Sequence, residues 1–138
     1  MVTLPTLEWD PKYSVGVEMI DNQHKKMFGM INDLVGIINT VPTAEKLQPI
    51  IRELVIYKQA HFATEEKYFR EFNYEGTAEH EDAHRKFNDK VEEITKKYGE
   101  DVIPFTFELI DFLEDWLVTH LMGLDQKYKK CFQEHGLK

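Results

Sequence analysis

Residues 20–38 read IDNQHKKMFGMINDLVGII, a stretch in which apolar side chains return every three or four positions. This spacing is typical of one face of an α-helix packed on a core. It predicts an amphipathic helix over roughly residues 20–40, which ends before Pro42 because proline disfavours helical geometry at the residue preceding it. The apolar face comprises Ile20, Met27, Phe28, Ile31, Leu34, Val35 and Ile38.

Three further stretches repeat this pattern and predict helices over roughly residues 44–72, 77–98 and 103–134. Short connections between long amphipathic helices favour antiparallel neighbours, so the expected fold is all-α, an up-down-up-down antiparallel four-helix bundle. Residues 1–19 have no helical period, and we expect them to pack across the bundle as an extended N-terminal arm. We interpret the 138 residues, 1–138, as a single domain.

Composition narrows the classes of function. The net charge of −8 disfavours nucleic acid and anionic membrane surfaces as partners, since both attract lysine and arginine. No apolar stretch approaches the length that spans a bilayer, and the first twelve residues lack the pattern of a signal peptide. The single cysteine, Cys131, cannot form an internal disulfide, which favours a reducing compartment. We therefore expect a cytoplasmic protein.

Histidines interrupt the apolar faces of all four predicted helices. One such histidine is most simply a hydrogen-bonded core residue, but burying five without partners would cost roughly a few kcal/mol each. A shared metal centre removes this cost, because neutral imidazole is a good ligand for iron, copper or zinc. The sixth histidine, His135, lies in the polar tail QEHGLK and is expected in solvent. The five inward histidines are His24, His61, His80, His84 and His120.

Two carboxylates accompany these histidines. Glu65 follows His61 by four positions and so projects from the same helix face, whereas Glu66 is rotated about 100° further towards solvent. Glu65 alone could be a solvated surface acid, but its alignment with His61 favours an inward position. Asp125 follows His120 in the segment HLMGLD, and aspartate is a poor residue for a helix interior unless something holds it. Asp125 is therefore the candidate for the second carboxylate.

The spacing of His120 and Asp125 predicts an irregular helix. Five residues of ideal α-helix rotate by about 500°, or roughly 140° net, so both side chains cannot face one centre from a regular helix. We predict a kink, a helix end or a π-type widening between them. Gly123 is the expected place because glycine tolerates non-helical dihedral angles. The helix should resume by about Gln126.

Five segments, in chain order, resemble the hemerythrin family, and specifically the bacterial hemerythrins. Each segment alone is weak evidence, but together, with these spacings, they cover nearly the whole chain. The resemblance implies a four-helix bundle that holds two non-haem irons. The segments are WDPKYSVGVEMID (9–21), NQHKKMF (22–28), HFATEEKYF (61–69), HEDAHRKF (80–87) and WLVTHLMGLDQKY (116–128).

Carried over position by position, the resemblance implies three histidine ligands for one iron, two for the other and two bridging carboxylates. A solvent-derived oxo or hydroxo bridge completes the family's pattern. One coordination position then stays open on the iron with two histidines, where dioxygen would bind reversibly without enzymatic turnover. The implied ligands, in that order, are His80, His84 and His120; His24 and His61; and Glu65 and Asp125.

The resemblance also implies a dry pocket around bound dioxygen, which would keep water and protons away from it. The matching positions are Phe62, which follows His61, and Trp116, Leu117 and Leu121 near His120. Ordinary core packing would explain these four side chains equally well, and both roles can hold at once.

Two alternative functions remain open. A ferritin-like di-iron oxidase or iron-handling protein would use mainly glutamates with Glu-x-x-His pairs, and no inward pair of that kind is evident here. The module could instead sense oxygen through a protein partner, or store it, since the same site would serve carrier, store and sensor. A structural zinc site is disfavoured because closed zinc sites use four ligands and this set has seven.

Overall fold

A computed structural model describes residues 4–98 and 101–138 of the chain. Within these residues the regular secondary structure is helical, which agrees with the expected all-α class. One short 3-10 turn, Pro11–Tyr13, precedes the first α-helix. The α-helices are α1, Glu18–Ile38; α2, Ala44–Glu71; α3, Thr77–Tyr98; α4, Val102–Met122; and α5, Leu124–Glu134.

The four long helices form the antiparallel bundle that the apolar spacing predicts. Helix α1 packs against α2 and α4, and α3 packs against the same two helices. Helix α2 begins where Thr43 caps it, because the Thr43 hydroxyl accepts a hydrogen bond of 3.3 Å from the backbone N–H of Lys46. Among the described residues, no helix is both long enough and apolar enough to cross a membrane.

The described part of the N-terminal arm runs along α1 in the opposite direction, held by two asparagines. The Asn39 amide exchanges two hydrogen bonds of 2.8 Å with the backbone of Leu4, and Asn32 does the same with Leu7 at 2.7 and 2.9 Å. Residues 1–3 of the predicted arm lie outside the described residues. The arm ends at residue 17 rather than 19, because α1 begins at Glu18.

The core consists of two apolar clusters separated by a polar layer. The larger cluster contains most of the buried side chains of α1–α4, and the smaller one joins the start of α1, the end of α2 and helix α5. The buried histidines lie between the two clusters along the bundle. The smaller cluster comprises Val15, Val17, Ile20, Phe69, Tyr128 and Phe132.

The last predicted helix, residues 103–134, is interrupted at Gly123, the expected position. Gly123 has φ −104° and ψ −95°, which is not helical, and α5 begins immediately afterwards at Leu124, two residues earlier than predicted. The Gln126 side-chain amide donates to the Leu121 carbonyl at 3.0 Å and to the Ser14 carbonyl at 3.2 Å. Gln126 thus satisfies a carbonyl beside the break and ties α5 to the arm.

Replacing Gly123 by alanine should destabilise the metal-free protein by about 1 kcal/mol, because an added Cβ would lie 3.0 Å from the Thr119 carbonyl oxygen. Urea unfolding would measure this loss. Gly29→Ala is the matched control, since a Cβ there meets nothing within 4 Å and should stabilise helix α1 by roughly 0.5–1 kcal/mol. Equal effects of the two substitutions would contradict the argument.

Candidate metal centre

The structure brings all seven predicted ligands together in the polar layer. Every one of them is buried, with at most 7% of the residue exposed. They come from all five α-helices, so the layer forms only when the bundle closes. The contributing residues are His24 from α1, His61 and Glu65 from α2, His80 and His84 from α3, His120 from α4, and Asp125 from α5.

The first group of ligand atoms surrounds the α3–α4 side of the layer. One ligand atom from each of Glu65, His80, His84 and His120 lies within 4.8 Å of the others. The Nε2 atoms of His80 and His120 are 2.9 Å apart, and Asp125 Oδ1 lies 3.0 Å from the first and 2.9 Å from the second. Several donor atoms therefore converge on one small volume.

A second group lies beside the first and shares Glu65 with it. Ligand atoms of His24, His61 and Glu65 also lie within 4.8 Å of one another. His61 Nε2 is 3.4 Å from Glu65 Oε1, and His24 Nε2 is 3.3 Å from Asp125 Oδ2. Asp125 therefore directs Oδ1 towards the first group and Oδ2 towards the second, and both carboxylates lie between the two groups.

The donor set fits cations, because its atoms are close together but poorly hydrogen-bonded. Within the described residues, eight buried side-chain nitrogen or oxygen atoms make no contact with hydrogen-bond geometry, even where a neighbouring donor atom of the layer lies within 3.4 Å, and all but Glu114 Oε1 belong to this layer. Leaving such atoms unsatisfied costs roughly 1–3 kcal/mol each. A bound cation would satisfy several of them at once. The atoms are His24 Nδ1 and Nε2, Glu65 Oε1, His80 Nδ1, His84 Nε2, and Asp125 Oδ1 and Oδ2.

Three further side chains orient the ligands, and none of them was predicted from the sequence. Gln23 Oε1 lies 2.7 Å from His61 Nδ1, and Glu66 Oε2 lies 2.8 Å from His84 Nδ1, so the Nε2 atom of each ring faces the layer. The Tyr128 hydroxyl donates to Glu65 Oε2 at 2.6 Å. The expectation that Glu66 faces solvent was incomplete, because only 23% of its side chain is exposed.

The pKa values of two ligands favour the protonation states that bind a cation. Burial and the neighbouring Asp125 act to raise the pKa of Glu65, but His61, His84 and His80 outweigh them and hold it at about 2. Burial lowers the pKa of His61 to about 4, so this imidazole is neutral at physiological pH. Carboxylates that are ionised and an imidazole that is neutral can bind a metal without first releasing protons.

Aromatic rings cover the α3–α4 side of the layer. Phe62 stacks on His84 with centroids 3.7 Å apart, and Trp116 stacks on His120 at 4.2 Å. Leu117 and Leu121 are buried in the larger apolar cluster. These four predicted pocket residues thus belong to the apolar side of the layer.

His135 lies outside the layer. It is exposed, stacks on Phe72 at 4.3 Å, and its Nδ1 lies 2.8 Å from the Cys131 carbonyl.

The helical bundle buries five imidazoles and two carboxylates in one layer. This combination places the protein in the class of helical metal-binding proteins. The model of the hemerythrin HHE cation binding domain matches residues 15–132, and the chain therefore belongs to the hemerythrin family. Membership of this family implies non-haem iron binding and oxygen binding, and it confirms the resemblance found in the sequence.

Curated relatives agree with this assignment. The chain is 32% identical over 131 residues to a bacteriohemerythrin of Stenotrophomonas maltophilia, covering 94% of this chain and 83% of the relative. It is 30% identical over 124 residues to a bacteriohemerythrin of Clostridium acetobutylicum, covering 87% and 96%. A hemerythrin-like protein of Naegleria gruberi is 30% identical over 128 residues, covering 92% and 95%.

The metal-free protein should lose roughly 2 kcal/mol of stability between pH 7 and pH 5 through His61. Unfolded His61 binds a proton near its ordinary pKa of 6.5, whereas the folded residue does so only near 4, so acid favours the unfolded chain. Urea unfolding at both pH values measures this loss. His61→Asn should show a smaller loss and the exposed-site variant His135→Ala an unchanged one; equal losses in all three proteins would refute the assignment.

Replacing Tyr128 by phenylalanine should weaken metal binding by roughly tenfold or more, because Glu65 Oε2 loses its buried hydroxyl donor. Competition with a chelator measures the affinity. Tyr68→Phe is the control, since Tyr68 is partly buried and packs against the same apolar cluster. An affinity in Tyr128→Phe equal to that of the control would show that the hydroxyl does not support Glu65.

Proposed function

We propose that this protein binds dioxygen reversibly at a non-haem di-iron centre and is not an enzyme. The observation that carries the proposal is the shared position of the two carboxylates. Glu65 belongs to both groups of ligand atoms, and Asp125 directs one oxygen towards each. Two metal ions would use this arrangement fully, with both carboxylates available to each ion, whereas one ion would leave several donors unsatisfied.

The two metal positions are unequal, and this inequality matters for oxygen binding. One group of ligand atoms contains three histidines and the other two, so a metal held by His24 and His61 would be the one with a position free for dioxygen. Two ferrous irons bound there would supply the electrons that dioxygen accepts, and a solvent-derived oxo or hydroxo group would complete the centre. The proposed ligands are His80, His84 and His120 for one iron, His24 and His61 for the other, and Glu65 and Asp125 for both.

Side chains around the proposed centre orient its ligands and exclude water from it. Gln23 and Glu66 orient two ligand imidazoles, and Tyr128 directs a hydroxyl hydrogen to Glu65. Phe62, Trp116, Leu117 and Leu121 are proposed to exclude water from the centre as a whole, which favours release of dioxygen over its reduction.

A ferritin-like oxidase is the less favoured alternative. Five of the seven ligands are histidines, whereas ferritin-like sites use mainly glutamates. Glu81 and His84 have the Glu-x-x-His spacing, but Glu81 pairs with Arg70 at 3.2 Å on the surface and does not join the layer. A single zinc is disfavoured by the number of converging ligands.

The proposed physiological role is oxygen carrier, store or sensor. Carrier, store and sensor would share this site, and a sensor would need a protein partner. Cytoplasm is the proposed compartment, because Cys131 is a free cysteine.

The purified protein should contain two irons per chain and show a reversible visible absorption change between anaerobic and aerobic solution. Metal analysis and spectroscopy test both points. His24→Ala should abolish the oxygen-dependent change first, because it removes a ligand of the two-histidine iron, and His135→Ala should leave it intact. One metal per chain, or stoichiometric zinc in protein grown with ample iron, would contradict the proposal.

Leu121→Ala should speed autoxidation of the oxygenated protein, because a smaller side chain beside His120 admits water and protons. The decay of the oxygenated absorption band measures this rate. Leu34→Ala is the matched control, since Leu34 is equally buried but lies on α1, ten residues beyond His24. If both variants autoxidise at the wild-type rate, Leu121 does not guard the pocket.

A further inference from the structure

A second feature of the core lies next to the polar layer and contains none of the seven ligands. It is a cavity of about 30 Å³ on the axis of the bundle, lined by side chains of α1–α4. Each helix contributes a lining residue three positions from one of its buried histidines, which is about one helical turn. These four residues are Met27, Lys58, Phe87 and Leu117.

Rings separate this cavity from the ligands. Trp116 lines it and stacks on His120, and Phe87 lines it and contacts Phe62, which stacks on His84. The cavity is therefore one layer away from the ligands, on the side of the larger apolar cluster.

The size and the lining of the cavity restrict which molecules can bind in it. A water molecule needs about 10–15 Å³ of such space and two to four polar partners. This cavity has the space, but apart from Lys58 its lining side chains are apolar or aromatic. Cavities of this kind stay dry and accept small apolar molecules. A volume of about 30 Å³ suits one molecule of the size of a diatomic gas.

Lys58 closes the seam between α2 and α3 beside the cavity. Only 5% of the residue is exposed, yet its ammonium reaches the side-chain oxygen of exposed Asn88. Its Nζ also lies 4.9 Å from the centroid of Phe87 and 5.4 Å from that of Phe62. The flexible stem thus lines the cavity, while the ammonium lies near the Phe62 and Phe87 rings and against Asn88. Burial lowers the pKa of Lys58 to about 8.

We propose that this cavity is a docking site for one small apolar gas molecule, and that Lys58, held by Asn88, is its gate. Rotation of the lysine side chain away from Asn88 opens the seam, and its return shuts water out. The site itself depends on neither iron nor oxygen chemistry. That dioxygen is its natural occupant rests on the proposed function.

Xenon tests the docking site directly, because it is apolar and visible by diffraction. Crystals of the iron-loaded protein under xenon pressure should show xenon among Met27, Phe87 and Leu117. Val91→Phe places a ring into the cavity from a half-buried position and should abolish that xenon peak. No xenon in the cavity of the unsubstituted protein, or an unchanged peak in Val91→Phe, would overturn the docking site.

The gate is tested by the rate of xenon exchange, measured by 129Xe nuclear magnetic resonance. Asn88→Ala changes an exposed residue outside the lining and should speed exchange about tenfold, because the ammonium loses its hydrogen-bond partner. Lys58→Met should speed it as well, and Asn22→Ala, an exposed asparagine on α1, should not. Exchange unchanged in both Asn88→Ala and Lys58→Met would refute the gate.

Oxygen kinetics then test the natural occupant. Val91→Phe should slow oxygen association severalfold while leaving iron content at the wild-type level. An unchanged association rate in a variant that excludes xenon would show that dioxygen does not pass through the cavity. A protein that binds xenon in the cavity but never binds oxygen reversibly would instead contradict the proposed function and leave the docking site standing.

Discussion

The structure depends on one constraint, the burial of five imidazoles and two carboxylates in a single layer. Buried polar atoms without partners are costly, and seven such atoms lie in this layer. Apolar packing above and below the layer brings the helices together in spite of this cost. A cation shared by several ligands turns an unfavourable layer into a favourable one, which makes metal binding and folding thermodynamically linked.

The layer organises the core around it. It separates the larger apolar cluster from the smaller one, and the seven ligands lie between the two. Side chains outside the ligand set fix the orientation of the ligands through hydrogen bonds. Tyr128 bonds to Glu65, and Glu66 bonds to His84. Because each orienting contact comes from a different helix than its ligand, small changes in helix packing would move the donor atoms.

The break at Gly123 shows how the layer overrides local helix geometry. A continuous helix would rotate Asp125 away from His120, yet the two side chains meet at 2.9 Å. The chain leaves helical geometry for one residue, and Gln126 satisfies the Leu121 carbonyl beside the break. The same side chain reaches the N-terminal arm, so the arm, α5 and the metal layer are coupled through Gln126.

The sequence by itself determined the helical faces, the inward histidines and the irregularity near Gly123, because helical period and rotation per residue follow from local geometry. It could not determine which side chains of different helices meet. Glu66 was expected in solvent but contacts His84, and Gln23 and Tyr128 gave no local signal. Lys58 is buried for the same reason, since the seam between α2 and α3 exists only after packing. Tertiary structure alone decided these contacts, because the distance between two helices is a property of the whole bundle.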